Sequence, residues 1–288
     1  MMQAQVLSAV LNEVKILRTI NYGQKYITDL KYSYNGNVCV SVINMKNGTP
    51  IWHISSHRVS FGQRRGIRSS INFLTSHGSC MCLRREGLRY LFLKNGCLMS
   101  SDKDMRINKF WPSSDELLGE YTPNGLAVCR SGAILVSLWN HQVHDRSLGK
   151  VIKVSSGGSK ALEIETDKNR PLFICPTYIA ENGNEDICVS DVNTVVVTDA
   201  GGFLRFRYTA AQSDPQFDPY GICCDSKNNI IVADMVKNRI HMIDQNSELL
   251  RYIHYSDMSM PRVLCIDEED NLYVGEWLSE EIKVLSPQ

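Results

Sequence analysis

The densest concentration of binding-competent side chains in the sequence is basic. His57, Arg58, Arg64, Arg65, Arg68, Arg84, Arg85, Arg89 and Lys94 fall within a short stretch, interleaved with Phe61 and Tyr90. Guanidinium groups beside aromatic rings suit RNA phosphates and unstacked bases, or an acidic peptide. The plainer reading is a set of dispersed, solvated positions. A second set is acidic: Asp191, Asp234 and Glu276 each end an apolar run, with Asn140 in the matching place further upstream. Carboxylates and amides that converge could hold a divalent cation through oxygen ligands. The plainer reading is that each acid caps a turn or pairs with an arginine such as Arg239. Cysteine offers Cys80-x-Cys82 and Cys223-Cys224, with His53, His57 and His77 near the first pair. No CxxC pair exists, so zinc-knuckle spacing is absent. No Gly-rich phosphate loop follows a strand, and no serine-nucleophile motif occurs.

The chain has 288 residues, enough for one large all-β domain, and its 31 basic and 31 acidic residues balance to zero net charge. Overall charge therefore gives no pull toward nucleic acid or an anionic membrane. The distribution is uneven, with a balance of +9 over residues 1–130 and −9 over the remainder. Met1 to Leu11 has neither a charged n-region nor a long apolar core, which is unlike a secretory signal. No apolar run approaches the ~18 residues of a membrane-spanning helix. A cytoplasmic location is expected, and with it ten cysteines that are thiols. Most of them sit inside strand patterns, where cysteine acts as a small buried hydrophobe.

The elements that must position these groups repeat along the chain. Phe217 to Asp225 is a turn leading into a short apolar strand, and Ser226 to Asn229 reads as a tight turn. Ile230 to Ala233 is apolar at every position, the signature of a strand buried on both faces. Arg239-Ile240-His241-Met242-Ile243 alternates, which predicts a strand with one wet face and His241 on it. The outline recurs from Pro261, Pro176 and Pro123, and more weakly around Asn35-Gly36 and His77-Gly78. Turn residues at 36, 78, 132, 183, 228 and 271 are 42 to 54 residues apart. Several short strands per unit at a period of about 40 to 50 residues indicate a β-propeller, and six turns predict six blades.

Pro219-x-Gly221-Ile222, Asp225, Asn229-Ile230, Val232-Ala233-Asp234 and Asn238-Arg239-Ile240 resemble one NHL repeat, the blade unit of NHL propellers. Phe203 to Thr209 followed by Phe217 to Ile222 is similar to the propellers of tripartite-motif proteins, the invertebrate sets above all. The resemblance is specific over 119–286 and loose over 14–118. Lys237-Asn238 replaces the usual Asn-His, and the second unit has nearly lost the pattern. The resemblance implies a module that recognises a protein substrate or structured RNA. In such proteins, ubiquitin transfer is driven by RING, B-box and coiled-coil segments, which are not found in these 288 residues. The resemblance therefore does not imply an enzyme in this chain, which reads as a fragment or a free-standing propeller.

The sequence thus predicts an all-β fold. It would be a six-bladed β-propeller (NHL/TolB-like) of four-stranded antiparallel blades, with a tail over 1–13 and the propeller over 14–288. The last unit shows only three strands, and Val14 to Ile20 reads as an isolated strand. Their pairing would close the ring and remove an open edge. Blade one is expected over 25–60, blade two over 61–112, blade three over 119–166, blade four over 167–211, and blade five over 213–255. Trp52, Tyr178, Tyr220, Tyr273 and Trp277 are expected in blade cores. The expected partner is a protein, with RNA as the alternative, and no membrane, cofactor or metal is called for. Arg58, Arg64, Arg65, Arg68, Arg84, Arg85, Arg89 and Lys94 are the predicted binding residues. A metal-dependent hydrolase, with the strand-end acids in a central tunnel, is the second alternative.

Overall fold

The computed structural model describes residues 14–23, 26–33, 37–46, 49–58, 69–74, 81–84, 89–94, 97–101, 107–111, 121–140, 149–210 and 216–286. The tail over 1–13, the turns at 36 and 78, and the connections over 112–120 and 211–215 lie outside them. Within the described residues the fold is all-β: six four-stranded antiparallel sheets and one two-stranded hairpin. Sheet I comprises Ile27–Ser33, Asn37–Lys46, Thr49–Arg58 and Ser69–Leu74. Sheet II comprises Met81–Arg84, Arg89–Lys94, Cys97–Ser101 and Ile107–Trp111. Sheet III is Tyr121–Val128, Ile134–Asn140, Gly149–Val154 and Lys160–Ile164. Sheet IV is Ile179–Glu181, Ile187–Asp191, Thr194–Thr198 and Leu204–Tyr208. Sheet V is Pro219–Cys224, Ile230–Asp234, Arg239–Ile243 and Leu249–Ile253. Sheet VI takes Pro261–Ile266, Leu272–Glu276 and Glu281–Leu285 from the end of the chain. Its fourth strand is Ile16–Asn21, paired antiparallel to Glu281–Leu285. The small hairpin, Thr166–Asp167 with Arg170–Pro171, lies between sheets III and IV.

The second strands of sheets IV, V and VI are buried at every position, as their unbroken apolar runs require. Their side chains reach both faces, so each sheet shares its core with the next. Ala180, Cys188 and Val197 of sheet IV pack with Ile222, Ile230 and Val232 of sheet V. Ile231, Ala233 and Ile240 of sheet V pack with Leu264, Leu272 and Val274 of sheet VI.

One device builds the tight turns. Asp225 Oδ1 accepts the N–H of Lys227 and Asn229, and Asp267 Oδ1 accepts those of Glu269 and Asn271. Asn182, Asp199 and Asp244 do the same at their own turns. The short side chain substitutes for a backbone carbonyl, which fixes the reversal locally. A residue with positive φ closes each connection between first and second strands in sheets III to VI: Gly132, Glu185, Asn228 and Asp270.

The first strands cross their neighbours closely, and small residues permit it. A Cβ built on Gly221 would lie 2.7 Å from Arg262 O and from Leu264 N of the next sheet. One built on Gly125 would lie 1.9 Å from Thr177 O. Ser137 Oγ accepts the Gly125 N–H (2.7 Å) and donates to Thr177 O (2.8 Å), while Ser190 Oγ donates to Tyr220 O (2.6 Å). The matching residues in sheets V and VI are Ala233 and Gly275.

Two expectations need correction. Ser69–Leu74 is the fourth strand of sheet I, because Ile51 to Ser56 pair with it directly. The first unit therefore runs past residue 60, and the second begins near Met81. His241 lies on no wet face. It is fully buried, because Phe217, Tyr208 and Tyr252 cover its ring.

Gly221→Ala is expected to destabilise by about 1–3 kcal/mol in denaturant unfolding, through backbone overpacking; an unchanged midpoint would contradict the close crossing. Deletion of residues 1–21 should bare the edge of Glu281–Leu285, lowering the melting temperature and promoting association in light scattering.

Candidate functional site

The turns that follow the second strands are hydrogen-bonded to the connections that enter the first strands. The Met235 N–H donates to Asp218 O (3.2 Å), and the Trp277 N–H donates to Met260 O (3.0 Å). The Tyr26 N–H donates to Trp277 O (3.1 Å), which ties the start of sheet I to sheet VI. These segments meet on one side of the sheets, the side on which the strand-end acids also lie.

Each acid serves its own sheet. Asp191 accepts the N–H groups of Ile174 (2.7 Å), Cys175 (2.6 Å) and Val192 (2.9 Å). Burial nevertheless raises its pKa above the ordinary carboxylate range, partly offset by those three donors. Glu276 accepts the Tyr255 hydroxyl (2.6 Å) and the Ser259 N–H (2.9 Å), and Tyr255 is pushed upward by burial and by that carboxylate. Asp234 accepts the Asp218 and Lys237 N–H groups, both at 3.3 Å, and faces Arg239 and His241. The acids thus act as clamps between turn and connection. Asn140 does not occupy their place. Leu138 stands opposite Pro123, where Asp234 stands opposite Pro219 and Glu276 opposite Pro261. Among the described residues no group of three His, Cys, Asp or Glu side chains could hold a metal ion.

His241 is the centre of a buried polar knot that sequence periodicity missed. Its Nδ1 is 2.8 Å from the Tyr208 hydroxyl, and its Nε2 is 3.2 Å from Asp234 Oδ2. The Arg239 guanidinium stacks over Tyr252, 4.1 Å from its centroid, with its Nε 3.1 Å from Nε2. Burial lowers the His241 pKa, while the Asp234 hydrogen bond works the other way. His241 and Asp234 at its centre are fully buried, while Arg239 and Tyr252 reach the surface.

The exposed chemistry lies beside it. Arg262 is stacked between two rings, its guanidinium carbon 4.1 Å from the Trp277 centroid and 4.7 Å from that of Tyr220. Tyr26 meets Trp277 edge-on at 5.2 Å, and Tyr178 lies 6.3 Å from Tyr220. The Tyr178 hydroxyl donates to Thr28 O (2.8 Å), linking sheet IV to sheet I. Around this group the turns after the second strands expose aliphatic side chains in three successive sheets. These are Val192 at 44%, Val236 at 52% and Leu278 at 52%, with Ile174 at 55% beside Val192.

Tyr220 and Trp277 are therefore half-buried surface residues, where the sequence placed them in the core; Tyr273 is core as expected. A signal for Tyr220 existed. Asn124, Thr177, Tyr220 and Arg262 each follow the proline that opens a unit, and this position recurs on the same side. The predicted basic set is only partly described. Arg84 and Arg89 are register partners within sheet II, Lys94 pairs with Cys97, and Arg58 pairs with Asn37 in sheet I. Arg64, Arg65, Arg68 and Arg85 lie outside the described residues. No described helix is long and apolar enough to cross a membrane.

No protein-family model matches the chain, and no curated protein does. Solved structures do. Virginiamycin B lyase from Staphylococcus aureus superposes with a TM-score of 0.61 at 13% identity, over 96% of this chain and 86% of the lyase. Regucalcin, a calcium-binding protein from Agrobacterium tumefaciens, gives 0.66 at 11%, over 96% and 98%. A chain of the nidogen/laminin complex gives 0.61 at 15%, over 82% of each. At such identities the likeness defines the fold alone: this chain is a β-propeller.

His241→Ala is expected to cost about 2–4 kcal/mol, since it leaves a cavity and strands the Tyr208 hydroxyl. A His whose pKa is lowered by folding binds protons more readily in the unfolded chain. Its contribution to stability should therefore fall as pH drops below about 6.5, the unfolded value. Urea unfolding of wild type and His241→Gln across pH 5–8 should show a smaller acid-side loss for the variant.

Proposed function

We propose that this protein is a six-bladed propeller, closed into a ring by Ile16–Asn21, and that it is a non-catalytic recognition module for a protein partner. The strand order of sheet VI supports ring closure, as does the contact of the first strand of sheet I with those of both sheet II and sheet VI. Residues 14–288 act as one domain in this reading, and the location is cytoplasmic. The partner docks on the side carrying Tyr220, Arg262 and Trp277. One observation carries this. Val192, Val236 and Leu278 expose aliphatic side chains at equivalent turns of three successive sheets, where a solvated turn needs only polar ones. Exposed apolar side chains grouped around an aromatic–arginine cluster match the composition of protein interfaces. The NHL-like pattern of Pro219 to Ile240 supports the same role, as in the substrate-recognition propellers of tripartite-motif ubiquitin ligases.

The strand-end acids bear on the hydrolase alternative. Asp191, Asp234 and Glu276 are already committed to backbone and side-chain donors, which favours a clamping role over metal ligation. Recognition of RNA through the basic set remains the competing outcome of the test. Partners should be captured with and without ribonuclease, then measured by calorimetry against Val236→Asp/Leu278→Asp. The double variant should keep its fold and lose binding by on the order of a hundredfold. Unaltered affinity would displace the interface from this side. Binding that ribonuclease removes and Arg84→Glu/Arg89→Glu weakens would favour RNA.

A further inference from the structure

We infer that Arg262 forms a carboxylate-receiving subsite, so that the partner segment presents an aspartate or glutamate flanked by apolar side chains. The inference rests on the docking side proposed above. Among the described residues Arg262 makes no hydrogen bond and no ion pair; the Tyr220 and Trp277 rings flank it, and Asp218 feels its charge. The arginines of sheets IV and V are engaged: Arg205 with Asp186, Arg207 with Leu172 O, Arg239 with Asp234, and Arg251 with the Met242 thioether. A guanidinium clamped by two aromatic faces has lost most of its rotamer freedom before any ligand arrives. Its fork is then set to donate in its own plane, the geometry that a carboxylate accepts in bidentate fashion.

Position supports the assignment. Arg262 follows Pro261 at the start of its strand, as Tyr220 follows Pro219 and Thr177 follows Pro176. It lies beside Trp277, whose neighbour Leu278 is exposed, and Trp277 in turn contacts the exposed Tyr26. A carboxylate on Arg262 would thus be bordered by apolar and aromatic surface. The surroundings also disfavour a polyphosphate. Asp218 feels the charge of both Arg262 and Asp234, and burial raises its pKa. Asp234 and Glu276 lie beneath the same turns. One cation among several acids suits a single carboxylate on an otherwise apolar segment better than a chain of phosphates.

The test uses the full chain and two libraries of short peptides. Their random apolar positions are identical, but the central residue is fixed as glutamate in one and glutamine in the other. Wild type should prefer the glutamate library by on the order of tenfold in affinity, measured by fluorescence polarisation on the enriched sequences. Arg262→Gln should abolish that preference while its melting curve stays cooperative, and Arg262→Lys should retain part of it. Equal binding of both libraries by wild type, or a preference that survives in Arg262→Gln, overturns the subsite. The docking side itself is read separately. If Val236→Asp/Leu278→Asp abolishes peptide binding but Arg262→Gln leaves the preference intact, the docking side stands and the subsite falls. If neither library is enriched, both fall. Tight binding of a mixed-sequence RNA that requires Arg262 would replace the carboxylate with phosphate and overturn the proposal.

Discussion

Everything in this structure depends on how closely the first strands of adjacent sheets can approach. At Gly125 and Gly221 the neighbouring backbone occupies the space that a methyl group would need. Facing them on the second strands are Ser137, Ser190, Ala233 and Gly275, and the serines use their hydroxyls to tie one sheet to the next. This packing of backbone against backbone brings the sheets near enough for their cores to merge. It also brings the residue after each opening proline to one side of the fold. Tyr220 and Arg262 are neighbours because the strands beneath them have no side chains to hold them apart.

The acids at the ends of the second strands extend the same logic. A carboxylate there binds the N–H groups of the incoming connection, and so fixes the loop that presents the surface residues. Ile174 is held in place by Asp191, and Ser259, just ahead of Met260 and Arg262, by Glu276. The proposed docking side therefore rests on buried ionisable groups. Connections pinned in this way have less conformational freedom to lose if a partner docks on them.

Much of the fold was legible in the sequence because turn chemistry and buried strands are local. Asp225 and Asn229 announce their turn, and Ile230 to Ala233 announce a strand with two dry faces. The fourth strand of sheet VI was legible through a deficit, three strands where four were needed. His241 was not legible, because alternation reports only the strand and not the aromatic residues that arrive from Phe217 and Tyr208 to cover it. Asn140 was misplaced by counting from the strand end, whereas register runs from Pro123. Tyr220, Trp277 and Arg262 escaped because aromatic residues in strand-rich sequence are usually core. Only the alignment of units on their prolines separates Tyr220 and Arg262 from core positions such as Tyr273.

The pairing of Ile16–Asn21 with Glu281–Leu285 joins two strands that are synthesised far apart in time. Sheets I to V can assemble in order as they are synthesised, but sheet VI waits for its final strand. Until then Ile16–Asn21 remains an unpaired edge, with the apolar Ile16 and Leu17 available to other strands. The time that separates the synthesis of these two strands therefore sets how long that edge stays open.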